Sequence, residues 1–207
     1  MSIRSALMHP AAKPVLWVVA LIPLVYFLAR AFTDNLGANP AEALIRGMGD
    51  WTLRFLCLTL TITPLRQITG RNELLRFRRM LGLFTFFYGI VHMLSYSWFD
   101  MGFVVDDIAK DIAKRPFILV GFTALMSMLP LAATSFNRAI KALGASRWQK
   151  LHRLVYATAV LGLLHFWWMR AGKHNFFEPS IYIAIITLLF GWRLWRAVHP
   201  VALGARR

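Results

Sequence analysis

Six apolar blocks divide this 207-residue chain: Val15–Phe32, Trp51–Pro64, Met80–Phe99, Phe117–Phe136, Leu151–Met169 and Ile181–Trp195. A helix that crosses a bilayer needs about 20 mostly apolar residues, and four of the six blocks approach that length. The second and sixth are short, and Arg54 stands near the start of the second. Both count as spans, because omitting either spoils the charge pattern described below. The expected fold is therefore all-α, a six-helix transmembrane bundle with helices over about 15–32, 51–65, 80–99, 116–136, 150–169 and 180–196. Pro14 and Pro116 stand at helix starts, where a missing N–H costs little. Pro23 and Pro130 fall inside helices, which a membrane bundle tolerates.

Charge placement sets the expected topology. With the N-terminus in the cytoplasm, segments 1–14, 66–79, 137–153 and 193–207 lie inside and hold sixteen of the 24 lysines and arginines. Of the nine acids only Glu73 falls in those segments. Short cytoplasmic loops collect Lys and Arg in this way, so the arrangement reads N-in/C-in. The same asymmetry accounts for the net charge of +15 without nucleic acid. A basic patch for phosphates needs a soluble face, and with only 16% charged residues and a mean hydropathy of +0.54 the blocks leave little room for one. The whole of 1–207 reads as a single domain in contact with membrane lipid. The basic segment before the first block superficially resembles a signal peptide. No small-residue cleavage site follows it, since Tyr26, Phe27 and Arg30 stand there, so the first block is expected to stay as a helix. The lone cysteine, Cys57, lies inside an apolar run and offers neither a disulfide nor a Cys-based metal site.

Ionisable side chains inside membrane helices are costly and mark function by default. His9, His174 and His199 fall in tails or a loop, whereas His92 and His165 lie inside apolar blocks and His152 near the start of one. At the helical rise, His92 lies about 18 Å along the third helix from the cytoplasmic end, His165 about 22 Å along the fifth, and His152 about 3 Å along the fifth. His92 and His165 thus share one level, and two facing imidazoles can supply both axial ligands of a haem iron. A structural zinc site wants four close ligands, usually with Cys or carboxylate, which the spans do not offer. Phe84, Phe86, Phe87, Phe166, Trp167 and Trp168 are bulky enough to line a slot for the flat ring.

Five stretches carry a resemblance: Ile62–Thr63–Pro64–Leu65–Arg66, Arg78–Arg79–Met80–Leu81–Gly82–Leu83, His92–Met93–Leu94–Ser95–Tyr96, Lys114–Arg115–Pro116 and Arg147–Trp148–Gln149–Lys150–Leu151–His152–Arg153–Leu154–Val155–Tyr156. They resemble the MsrQ (YedZ) family, haem-binding membrane subunits of a bacterial methionine sulfoxide reductase system, within the ferric-reductase-like transmembrane family. The resemblance implies His92, His152 and His165 as axial ligands of one or two haems b. Where larger relatives have a second histidine on the third helix, this chain has Arg78 and Arg79. The His152 site is then short of a ligand, for which His199 and, more remotely, His9 are candidates by side alone.

The resemblance further implies an electron-transfer subunit whose catalytic site lies on a partner, an MsrP-like periplasmic molybdoenzyme. The donor would be the quinone pool or a cytoplasmic flavin reductase. The chain has no dinucleotide fingerprint of its own, so FMN or such a reductase would bridge two-electron donors to one-electron haem. The arginine-rich segments 66–79 and 147–153 are candidate holders of a flavin phosphate, and the acidic segment Asp100–Asp111 a candidate docking loop. Two other classes stay open on the residues alone. One is a stand-alone ferric or cupric reductase. The other is a transporter or scaffold whose histidines are protonation or packing sites.

Overall fold

The computed structural model describes residues 3–172 and 174–199. Within them lie ten α-helices: α1 (Ile3–Met8), α2 (Ala12–Phe32), α3 (Pro40–Thr69), α4 (Leu75–Phe99), α5 (Val105–Lys114), α6 (Pro116–Ala133), α7 (Asn137–Leu143), α8 (Ala145–His152), α9 (Leu154–Ala171) and α10 (Phe177–Val198). No strand occurs among the described residues. Five segments are long and apolar enough to cross a membrane: Ala12–Phe32, Asn72–Phe99, Pro116–Ala133, Ala145–Ala171 and Phe177–Val198.

α3 is the sixth long helix, and it differs most from expectation. It was expected over 51–65 but runs for 30 residues from Pro40, about 45 Å at the helical rise. Asn39 caps it by accepting the Glu42 N–H at 3.1 Å, with Pro40 in the first turn. Its first half carries Arg46, Asp50 and Arg54, which lower its hydropathy. Arg46 pairs with Glu42 at 2.5 Å, and Arg54 donates from Nε to the Tyr182 hydroxyl at 3.3 Å.

α3 packs along α4, and α6 packs along α9; α4 meets α6, and α10 touches both α3 and α9. One apolar core, with Met48, Phe55, Phe84 and Tyr88, joins α3 and α4 to α2. A second, with Leu53, Leu56, Leu60, Ala159, Phe166 and Ile186, joins α3 to α9 and α10. Pro23 interrupts α2, and the fully buried Tyr88 repairs the ladder beside it. Its hydroxyl donates to the Ala20 carbonyl at 2.7 Å and accepts from the Leu24 N–H at 3.2 Å. In a hydrocarbon environment such backbone groups need internal partners.

The fifth block is not one helix. It breaks at Arg153, so His152 ends the short α8 instead of opening the long α9. The segment expected as an acidic loop forms α5, a strongly amphipathic helix. Two ends can now be named: an acidic end with α5 and the start of α10, and a basic end with Arg66, Arg78, Arg79 and α8.

Candidate haem site

His92 projects from α4 and His165 from α9, and their ring centres lie 6.1 Å apart with the planes inclined at 70°. Each ring is steered from behind by a helix of its own pair. His92 Nδ1 lies 2.8 Å from the Ile45 carbonyl oxygen on α3, and His165 Nδ1 lies 2.6 Å from the Phe117 carbonyl oxygen on α6. A carbonyl only accepts, so Nδ1 carries the proton in both rings and Nε2 keeps its lone pair. That is the tautomer of a metal-ligating histidine with an oriented outer partner.

Two glycines make the room. A Cβ at Gly121 would sit 2.6 Å from His165 Nδ1, and one at Gly49 would sit 3.2 Å from His92 Nδ1. The imidazoles lie against bare backbone on α6 and α3. Neither glycine stands out in the sequence, because glycine is frequent in membrane helices. The available signal is that an interior glycine weakens a helix unless something must approach closely.

The two ring nitrogens that keep their lone pairs would hold one metal ion between the helix pairs. Two metal–imidazole bonds of about 2 Å each, plus the ring radii, put facing ring centres about 6 Å apart. No group of three or more His, Cys, Asp or Glu capable of holding a metal occurs among the described residues. The donor set is thus two neutral nitrogens, which fits an iron whose remaining positions are filled by a porphyrin. The aromatic lining differs from expectation. Phe84 and Phe87 pack in the α2–α3–α4 core, Phe166 joins the second core, and Trp167 stacks on Phe176 at 4.7 Å. Phe117 lies against His165, with ring centres 6.2 Å apart.

His152 is in a separate place. It faces a cavity of about 270 Å³ at the basic end, lined in part by Arg78, Arg79, Phe86, Ser135, Trp148 and Thr158. Leu125 and Met128 of α6 approach Gly89 of α4 and separate the two levels. The His152 ring stacks on Trp148 with centres 3.9 Å apart, and its Nε2 lies 3.0 Å from Thr134 Oγ1. That hydroxyl already donates to the Pro130 carbonyl at 2.6 Å, so it accepts from His152 Nε2–H. Trp148 donates to the Thr134 carbonyl at 2.9 Å and closes the unit. In this arrangement the His152 lone pair is on Nδ1. His199 bonds the Trp195 carbonyl on its own helix at 3.2 Å, and His9 accepts from Ala11 N–H. Both are exposed.

One turn beyond His92 toward the acidic end, the buried Tyr96 donates to Asp111, which also accepts from Arg115 Nε at 2.6 Å. This unit ties α4, α5 and the start of α6 together. It gives the Lys114–Arg115–Pro116 stretch a structural role.

Residues 47–163 match the family of ferric reductase like transmembrane components. Over 189 residues the chain is 66% identical to the protein-methionine-sulfoxide reductase heme-binding subunit MsrQ of Polaromonas naphthalenivorans (strain CJ2), covering 91% of this chain and 86% of the relative. The chain belongs to the MsrQ family. Members of the same name in Ralstonia nicotianae (strain ATCC BAA-1114 / GMI1000) and Xanthomonas campestris pv. campestris (strain B100) are 54% and 46% identical, over 89% and 95% of this chain and 85% and 91% of theirs. No solved structure matches. Within the MsrQ family the transmembrane match takes in His92 and His152 and ends two residues before His165. Family membership and the five apolar helices make this a multi-pass membrane protein.

Proposed function

We propose that this chain is a haem b electron-transfer subunit whose iron is held between His92 and His165. The observation that carries the reading is the facing pair of imidazoles, each with Nδ1–H on a backbone carbonyl and Nε2 free. The relatives' printed names, heme-binding subunits of a protein-methionine-sulfoxide reductase, agree with it. Bound there, the haem supplies one-electron exchange between ferric and ferrous iron. The protein's part is to hold both rings in the ligating tautomer. The Ile45 and Phe117 carbonyls would raise the basicity of the two ligands.

The six long helices run N-in/C-in across the bacterial inner membrane, with the basic end cytoplasmic. Support comes from the Arg and Lys distribution and from the length of α3. Electrons arrive at the basic end from the quinone pool or a cytoplasmic flavin reductase, with FMN as a bridging cofactor. They leave near the acidic end for an MsrP-like periplasmic molybdoenzyme. That partner reduces methionine sulfoxide in periplasmic proteins, taking two electrons and two protons to give the thioether and water. His152 is the ligand this chain offers to a second haem in the inner cavity, and His199 remains the candidate sixth ligand by side.

The test is haem per chain in haem-replete membranes, read from the dithionite-reduced spectrum of wild type, His92→Ala and His165→Ala. Each substitution should remove one haem; an unchanged count would defeat the pairing, and a wild type without a b-type Soret band would leave a transporter or scaffold. Rapid reoxidation by an MsrP-like partner, against slow reoxidation by a ferric chelate, separates this function from a stand-alone metalloreductase.

A further inference from the structure

Three guanidiniums gather at the basic end from three helices. Arg66 lies in the last turn of α3, Arg78 in the first turn of α4, and Arg193 near the end of α10. Arg78 is within electrostatic reach of both others and of Tyr156. None of the three forms an ion pair among the described residues. Glu73, the one acid at this end, is taken by Arg4 at 2.9 Å.

Like charges held together without a counter-charge are unfavourable unless an anion joins them. The groups are also held in position. Arg193 donates to the Leu189 carbonyl at 2.7 Å and to the Leu60 carbonyl of α3, with its guanidinium 5.7 Å from the Tyr156 ring centre. Arg66 donates through one terminal nitrogen to Asn72 Oδ1 at 3.3 Å, while its Nε is buried with no partner. A guanidinium carries five N–H donors in a planar fork suited to phosphate. The three arginines therefore keep donors in reserve.

The surroundings indicate the kind of phosphate. Trp192 donates to Gln67 at 3.0 Å beside the cluster, and Trp195 follows one turn on. Tryptophans at this level are typical of a membrane–water interface. Ile68 of α3 and Leu188 and Leu194 of α10, on the helices that carry Arg66 and Arg193, are exposed at 65%, 74% and 69%. Apolar flanks of this kind suit acyl chains, and a soluble phosphate would have no use for them. Basic pockets between membrane helices on the cytoplasmic side take anionic headgroups.

We propose that Arg66, Arg78 and Arg193 form a binding site for the phosphate of an anionic phospholipid at the α3–α4–α10 edge. The proposal rests on the cytoplasmic placement of the basic end given above, and it is independent of the haem ligands.

The experiment uses the full chain, stripped of lipid in detergent and titrated with phosphatidylglycerol or phosphatidylcholine of matched chains, with retained lipid read by native mass spectrometry. Wild type should prefer phosphatidylglycerol by about tenfold, given the attraction each arginine adds. Arg66→Gln and Arg193→Gln should each lower that preference severalfold, Arg193→Lys should keep most of it, and Arg147→Gln at the same end should leave it unchanged. If Arg193→Gln fails to fold for want of its Leu60 bond, Arg66→Gln carries the test. An undiminished preference in the Arg66→Gln variant overturns the site. Displacement of the lipid by inorganic phosphate or FMN at equal concentration overturns the lipid assignment and gives the cluster to a soluble phosphate. Haem content, read in parallel, separates failure of this proposal from failure of the haem assignment.

Discussion

Replacing Gly121 by alanine tests the haem site at its tightest point. The added Cβ would lie 2.6, 2.8 and 2.9 Å from His165 Nδ1, Cε1 and Cγ. Carbon contacts are comfortable from about 3.5 Å, so the ring must retreat by about 1 Å. The Nδ1···Phe117 bond of 2.6 Å does not survive such a shift. Losing the outer partner of a metal-bound histidine typically lowers affinity about 10–100-fold, or about 1.4–2.7 kcal/mol. Gly49→Ala meets His92 at 3.2 Å and asks the ring for only a few tenths of an ångström, so its effect should stay within about threefold. Gly191→Ala, where no atom lies within 4 Å of the new Cβ, is the control. Haem per chain by pyridine haemochromogen, at limiting and at saturating haem, gives the affinities. Wild-type affinity and midpoint potential in Gly121→Ala would refute the claim that close approach of α6 positions His165.

Tyr88→Phe removes the hydroxyl that bonds both the Ala20 carbonyl and the Leu24 N–H and should cost about 1 kcal/mol; an unchanged melting temperature in detergent would contradict this. Thr134→Val releases His152 Nε2 from its hydroxyl partner. It should raise haem loading of the inner cavity about fivefold, the worth of one hydrogen bond, as read from haem titrations in the His92→Ala background. No gain would mean that His152 does not ligate through Nε2. Asp111→Ala removes the acceptor shared by Tyr96 and Arg115, and amide exchange across Val105–Lys114 should quicken at least tenfold. Unaltered protection would place the anchor of α5 elsewhere.

The level shared by His92 and His165 was legible in the sequence, because helical rise is uniform and both helices leave the same side. The start of α3 was not. Arg46, Asp50 and Arg54 make its first half look like a loop; Glu42 sits one turn before Arg46 on the same helix, but only the folded bundle supplies Tyr182 to Arg54. The break at Arg153 was hidden as well, since Leu151 and Leu154 continue the apolar run across it. His152 appeared to be a free ligand because its partner, Thr134, lies on the preceding span and meets it through tertiary packing alone. Gly49 and Gly121 had no visible role until each was found against an imidazole. Aromatic content was a poor guide to the slot. Bulky rings fill helix–helix cores as readily as they line a cofactor, and three of the six expected ones, Phe84, Phe87 and Phe166, do the former.

The two imidazoles belong to different packed pairs, His92 to α3–α4 and His165 to α6–α9. An iron held between them would act as a clasp between the two pairs, which α10 and the α4–α6 contact already join. Each pair can insert and close in the bilayer before the clasp is fastened. Cofactor capture would then be the final stitch of assembly. Without it the two pairs would still meet through α10 and the α4–α6 contact, and only the last link, between His92 and His165, would be missing.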